Sequence, residues 1–231
     1  MASSAPNTQA GPADTGTDDN SAARPEAKGA ARWKARPGDN EYHHKRNRLL
    51  ASASELIGST GIQGLRLDSV ARHAGVARSS LYRYFDSKDQ LVYELLLYEM
   101  ARLQVRFATQ TEQIEDPAER LVAIVLHAVD ASRNDPALNE LIGSGSQSSL
   151  PTVRFALEHI PAYLSPQYEA FGFFAELEPE QASERYFQLA RWVMHIIFSL
   201  GAFGRAGLDA QAEAEMVRAM LLPVLRGNPP D

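Results

Sequence analysis

With 231 residues and 44% hydrophobic content, the chain has room for one or two domains with a real core, and its lack of cysteine excludes disulfides, thiol catalysis and zinc knuckles. The net charge of −6 is unevenly held: residues 43–90 carry eight Lys and Arg against four acids (+4), while residues 91–231 carry ten against nineteen (−9). A basic module on an acidic body argues against a uniformly acidic binder and points to a head that meets a polyanion, joined to a part with another task.

Residues 1–31 hold no aromatic residue and, after Met1, no aliphatic larger than Ala, so residues 1–40 are expected to be a disordered tail ending in a basic arm. Arg32, Lys34, Arg36, Lys45, Arg46 and Arg48 cluster there and just beyond. Two readings stand side by side: an arm drawn to a nucleic-acid backbone, or a solubilising tail before an ordinary helix N-terminus. No apolar stretch reaches the ~18 residues a membrane span needs, and no secretory h-region opens the chain, so a cytoplasmic protein without membrane contact is expected.

The first helix is predicted from Asn40, its cap, to about Gly58, burying Leu49, Leu50, Ala53, Leu56 and Ile57. Leu67, Val70, Ala71 and Ala74 then recur at i, i+3, i+4 and i+7, one stripe on a short helix. Gly75 can supply the positive φ of a sharp corner, with Val76 plugging the angle. Leu81 and Phe85 give the next helix a narrow buried edge, leaving Arg78, Ser79, Ser80, Tyr82 and Arg83 mostly outside. This is the layout of a helix-turn-helix, whose second helix lies in the DNA major groove. Ser87 and Gln90 form a capping-box pattern opening a long helix from Lys88 to about Gln110, with Lys88 in its first turn.

Asp116-Pro117 with Glu119, and Asp135-Pro136, are further helix starts. Gly143 to Ser149 reads as a flexible loop, and it lacks the Lys-Ser/Thr ending of a phosphate-binding loop. Helices are predicted at about 151–164, 166–177, 180–205 and 209–226. Period-two β-branched runs are missing, so the fold class is all-α. Residues 186–200 are apolar nearly all the way round, which demands burial on several sides and suggests a partner subunit. Gly201, Ala202 and Gly204 would let another helix approach closely, and Met216, Val217, Met220, Leu221 and Val224 form a second stripe.

These motifs carry a resemblance. Arg46-x-x-Leu49-Leu50-x-x-Ala53-x-x-Leu56-Ile57-x-x-x-Gly61, Val70-Ala71-x-x-Ala74-Gly75-Val76 and Leu81-Tyr82-x-Tyr84-Phe85-x-Ser87-Lys88-x-x-Leu91 resemble the N-terminal domain of TetR-family transcription regulators over about residues 43–92. Arg66 and Ala77 depart from the pattern, standing where that family often places capping Thr and Ser; a lost cap costs about 0.5–2 kcal/mol. The resemblance implies a three-helix helix-turn-helix domain at 41–90, followed by a helical effector-binding and dimerisation domain at 91–231. It places DNA contacts at Arg48, Arg66, Leu67, Arg78, Ser79, Ser80, Tyr82, Arg83, Tyr84 and Lys88. Arg78 and Ser79 are best placed for base edges, and Tyr82, Tyr84 and Lys88 for phosphates.

It also implies a homodimer through the last two helices and a pocket for a small effector. Candidates for its lining are Tyr98, Leu103, His127, Asp130, Tyr163, Tyr168, Phe171, Phe174, Trp192, His195 and Phe198, aromatic positions that equally suit ordinary core packing. The rings of His127 and His195 need hydrogen-bond partners, either a ligand or a neighbouring carbonyl. The expected function is a repressor released from a palindromic double-stranded operator by a small molecule. The alternatives are an activator of the same architecture and a helical protein-interaction module that ignores DNA. No nucleophile elbow and no metal-spaced His or carboxylate cluster is found, so neither enzyme, metal nor cofactor is expected.

Overall fold

Apolar residues spaced three and four apart dictate helices, and in the computed structural model the described residues, 40–203 and 207–226, contain helices and turns without a strand. The expected tail and most of the basic arm, and Gly204 at the end of the apolar helix, lie outside the described residues. The helices are α1 (Asn40–Gly64), α2 (Leu67–His73), α3 (Arg78–Leu81), α4 (Lys88–Thr111), α5 (Pro117–Asn134), α6 (Pro136–Leu138), α7 (Leu150–Glu169), α8 (Pro179–Phe203) and α9 (Ala210–Leu225), with a π-turn at Asn139–Gly143.

Three elements differ from expectation. Helix α1 runs past Gly58 to Gly64, broken at Gly61, whose φ of 68° and ψ of 171° leave the helical region. Helix α3 is a single turn; beyond it the chain tightens into overlapping turns, with the N–H groups of Tyr84 and Phe85 both donating to Leu81 O. The helices expected at 151–164 and 166–177 are one helix, α7, followed by turns from Phe171 to Leu177. Pro161 and Pro166 each remove a ladder donor, at a cost of about 3 kcal/mol inside a helix. Burial of Ala156, Ile160, Leu164 and Tyr168 offsets that loss, while Gly172 at φ 71° ends the run.

The caps expected at Ser87, Asp116 and Asp135 form. Ser87 Oγ accepts from the Gln90 N–H at 3.1 Å, and Gln90 Oε1 accepts from the Asp86 N–H at 2.7 Å, so the box closes one residue earlier than its usual form. Asp116 Oδ1 caps α5 through the Ala118 N–H, and Asp135 Oδ1 caps α6 through those of Ala137 and Leu138.

One continuous apolar core runs from Leu49 to Leu225, joining Leu81 and Phe85 under the helix-turn-helix to Val193 and Val217 in the later helices. Helix α6 and the π-turn bind the two ends together. A Cβ at Gly58 of α1 would stand 2.9 Å from Pro136 Cβ, and one at Gly61 would stand 3.0 Å from Glu140 Oε2. On the other side, a Cβ at Gly143 would fall 1.9 Å from Ser132 O in α5. The stretch read as flexible from its glycines therefore begins as a tightly seated corner; Gly143 is buried. Gly201 also serves contact within the chain, facing Ser132 Oγ of α5. Arg133 ties α5, α8 and α9: its guanidinium donates to Leu200 O and pairs with Glu213 at 2.5 Å.

Candidate nucleic-acid interface and effector cavity

The helix-turn-helix surface is built by what lies beneath it. Leu81 and Phe85, both fully buried, fix α3, and Val70, Ala71 and Ala74 fix α2 below it. Gly75 turns the corner at φ 65°, and the Ala74 carbonyl there accepts from Arg48 Nη2 at 2.6 Å. Exposed above this base are Arg66, Arg78, Ser79, Tyr82 and Arg83, with Leu67, Ser80, Tyr84 and Lys88 partly buried.

These side chains are not equally free. Arg78 Nε pairs with Asp68 Oδ1 at 2.8 Å, Arg78 Nη2 donates to Tyr82 Oη at 3.3 Å, and its guanidinium lies 5.5 Å over the Tyr82 ring. Tyr84 packs on Tyr42 of α1, with centroids 4.8 Å apart. Lys88 Nζ reaches back to Gln63 O at 3.4 Å, across the end of α1. Arg66 precedes α2 in extended conformation and makes no side-chain cap, as expected from the missing hydroxyl. Arg46 departs from the basic cluster, pairing half-buried with Glu94 of α4 at 2.5 Å.

Between α1 and the recognition turn, a cleft of about 120 Å³ is lined by Lys45, Arg48, Leu49, Ala74, Val76, Ser80, Arg83 and Tyr84. Three cations beside two hydroxyl-bearing residues, Ser80 and Tyr84, make a seat suited to a phosphate. Sequence reading did not assign Lys45 a contact, although its place in the basic cluster was the available signal.

A cavity of about 190 Å³ opens between α4, α5, α7 and α8, closed on one side by Leu138 and Ile142 of the α6–π-turn segment. Leu103, Tyr168 and Phe171 from the expected list line it. The others are placed elsewhere. Tyr98 lies under Arg102, and His127 stacks on Phe107 with ring centroids 5.8 Å apart without lining the cavity. Asp130 is exposed and accepts from Asn134; Phe174 packs on Tyr186. Trp192 and His195 are on the outer side of α8, and Phe198 is buried in the core away from the cavity. Tyr163 stands behind the wall, its hydroxyl donating to Gln104 Oε1 at 3.1 Å.

The reason is the helical step. Val193, Met194 and Ile197 take the inward face of α8, so residues beside them are turned by about 100° per position. Aromatic type did not predict the lining; the phase of each helix did. Gln104, Arg120, Ile124, Gln167 and Met194 were missed, and for Arg120 the sequence carried no signal, since a lone Arg on an amphipathic helix reads as surface.

Among the described residues no group of three or more His, Asp or Glu is arranged to hold a metal, and no helix is long and apolar enough to cross a membrane.

Comparison with known proteins bears on the helix-turn-helix first. The family model described as bacterial regulatory proteins, tetR family, matches residues 49–95. An HTH-type transcriptional regulator of Mycobacterium tuberculosis is 27% identical over 78% of this chain and 84% of its own length. The HTH-type transcriptional regulator TtgW of Pseudomonas putida is 30% identical over 50% of this chain and 85% of its own length. The solved structure of Thermus thermophilus FadR, a TetR-family transcriptional repressor in complex with lauroyl-CoA, shares the fold with a TM-score of 0.55, at 19% identity over 80% of this chain and 96% of that one. The glycine corner, the one-turn helix anchored by Leu81 and Phe85 and the all-helical body behind them agree with these matches: the chain belongs to the TetR family of helix-turn-helix transcription regulators.

Proposed function

We propose that this regulator is a homodimeric repressor whose residues 41–90 grip a palindromic operator and whose residues 91–231 release it when a small molecule enters the cavity. The observation that carries this reading is the exposed donor surface of Arg78, Ser79 and Arg83, with Ser80 partly buried among them, held over an apolar base and beside the cleft of Lys45 and Arg48. Arg78 reads a base edge after exchanging Asp68 and Tyr82 for guanine acceptors. Lys45, Arg48, Arg83 and Lys88 hold phosphates. Repression requires no contact beyond the operator itself.

The coupling runs through α6 and the π-turn. Leu138 and Ile142 touch the cavity, while Pro136 and Glu140 of the same segment seat the glycines of α1. An effector that fits only one position of this segment shifts the head, because release requires differential affinity for the two states.

Arg78→Ala is expected to cost about 1–3 kcal/mol at one base position and to relax specificity there, whereas Lys88→Ala weakens all sequences alike and lowers the salt slope by about one. Binding titrations over 50–200 mM salt with wild-type and single-base-changed operators check this. Uniform loss in both variants removes the assigned roles, and no DNA binding at low salt favours a protein-interaction module instead.

Dimerisation uses the outer faces of α8 and α9, where Trp192 and Phe203 (79% exposed), Met220 and Val224 stand out from the surface. Trp192→Glu is expected to yield a monomer by sedimentation velocity and to abolish tight operator binding without unfolding the chain. A dimer of unchanged stability places the interface elsewhere.

A further inference from the structure

The cavity's polar groups are unequal: some are already bonded within the protein and others are not. Gln104 Nε2 donates to Gln167 Oε1, Gln104 Oε1 accepts from Tyr163, and Gln167 Nε2 donates to Tyr163 O at 3.1 Å. Each amide is thereby engaged within the protein at both its nitrogen and its oxygen, with one N–H left over. Ser132 Oγ donates to Val129 O at 2.7 Å. Two further lining groups have donors that are almost or wholly unused. Arg120, half-buried on α5, has one weak bond, Nε to Thr111 Oγ1 at 3.4 Å, and no carboxylate partner among the described residues. Tyr168, 6% exposed on α7, has a hydroxyl without a hydrogen-bond partner among the described residues. Burial raises its pKa far above the ordinary phenol value, so it stays protonated and able to donate.

The rest of the wall is apolar: Met100, Leu103, Phe107, Ile124, Val193 and Ile197 among others. Size narrows the occupant. A dry apolar cavity of about 150 Å³ holds one benzene, so 190 Å³ holds a single substituted ring or a short chain. A guanidinium facing an apolar chamber is satisfied by an anion and left unpaired by a neutral hydrocarbon.

Resting on the reading of this cavity as the effector site, we propose that the effector is a compact monocarboxylate, with one aromatic ring or a short alkyl chain among the apolar residues and its carboxylate on Arg120. The Tyr168 hydroxyl donates to an oxygen of the same ligand. Selectivity follows from the two spare donors: an acid gains a charge-assisted bond that its amide or alcohol lacks.

The test is calorimetric titration of the full chain at pH 7 with phenylacetate and octanoate, against phenylacetamide and octanamide, with octanoyl-CoA as a separate arm, and release of operator DNA read in parallel. The acids are expected to bind about tenfold or more tightly than their amides and to release DNA. Arg120→Gln should erase that preference while leaving amide affinity and thermal midpoint nearly unchanged, and Tyr168→Phe should weaken the acids several-fold. Amides that bind as well as acids and release DNA overturn the carboxylate and leave the effector cavity standing. Binding of octanoyl-CoA alone also overturns the free acid. If no probe binds or releases DNA, the proposal and the effector reading fall together.

Discussion

Replacing Phe85 by Ala is expected to lower the stability of the protein by about 3–5 kcal/mol, the usual cost of removing a large buried aromatic side chain. Phe85 is 0% exposed and lies at the end of a recognition element only one helical turn long. So short a helix has little stability of its own, since nucleation costs more than its few bonds return. Its position depends on Leu81 and Phe85 in the apolar core. Urea unfolding followed by far-UV circular dichroism measures the loss, and operator affinity should fall further than the folded fraction alone explains. Tyr82→Phe, at an exposed ring on the same turn, is the control and should stay within about 0.5 kcal/mol. A Phe85→Ala protein within about 1 kcal/mol of wild type would show that α3 is anchored by something else.

Gly143→Ala is expected to be almost as damaging. The added methyl meets a main-chain carbonyl, Ser132 O, at 1.9 Å, and that carbonyl also accepts from Asn139 Nδ2 at 3.2 Å. A carbonyl inside α5 cannot rotate away, so the π-turn has to move out and the Asn139 bond is lost. A cost of about 3 kcal/mol, at the upper end of overpacking, lowers the thermal midpoint by roughly 6–12 °C for a chain of this size. Gly201→Ala meets Ser132 Oγ at 2.4 Å, a side-chain atom that can turn aside, and should cost less. The order of the two variants is the decisive readout: if Gly201→Ala is the worse, the π-turn is not seated on α5 as described. Since this segment also touches the cavity and α1, Gly143→Ala should weaken effector response beyond its effect on stability.

The helix-turn-helix was legible residue by residue because its signals are local. The stripe from Leu67 to Ala74, the corner at Gly75, the Leu81/Phe85 edge and the Ser87 cap lie within about twenty consecutive residues, and each reports a constraint of the neighbouring backbone. The cavity was hardly legible. Of its lining, Leu103, Tyr168 and Phe171 were named beforehand, while Trp192 and His195 lie on the opposite face of α8. A one-residue step turns a helical side chain by about 100°, so composition cannot say which of two neighbours faces in. The merged helix α7 shows the same limit, since burial of Ala156, Ile160, Leu164 and Tyr168 carries one helix through a stretch expected to hold two.

The order of apolar and turn residues by itself determined an all-helical chain, the places where most helices begin and which short segment presents Arg, Ser and Tyr outward. Tertiary structure alone decided that Arg78 rests on Asp68 and Tyr82, that Gly143 is a point of contact between main chains, and that Arg120 and Tyr168 face a common chamber. The first group follows from backbone geometry over a few residues. The second depends on the relative phase and spacing of helices far apart in sequence, which packing of the whole core fixes and no local pattern encodes.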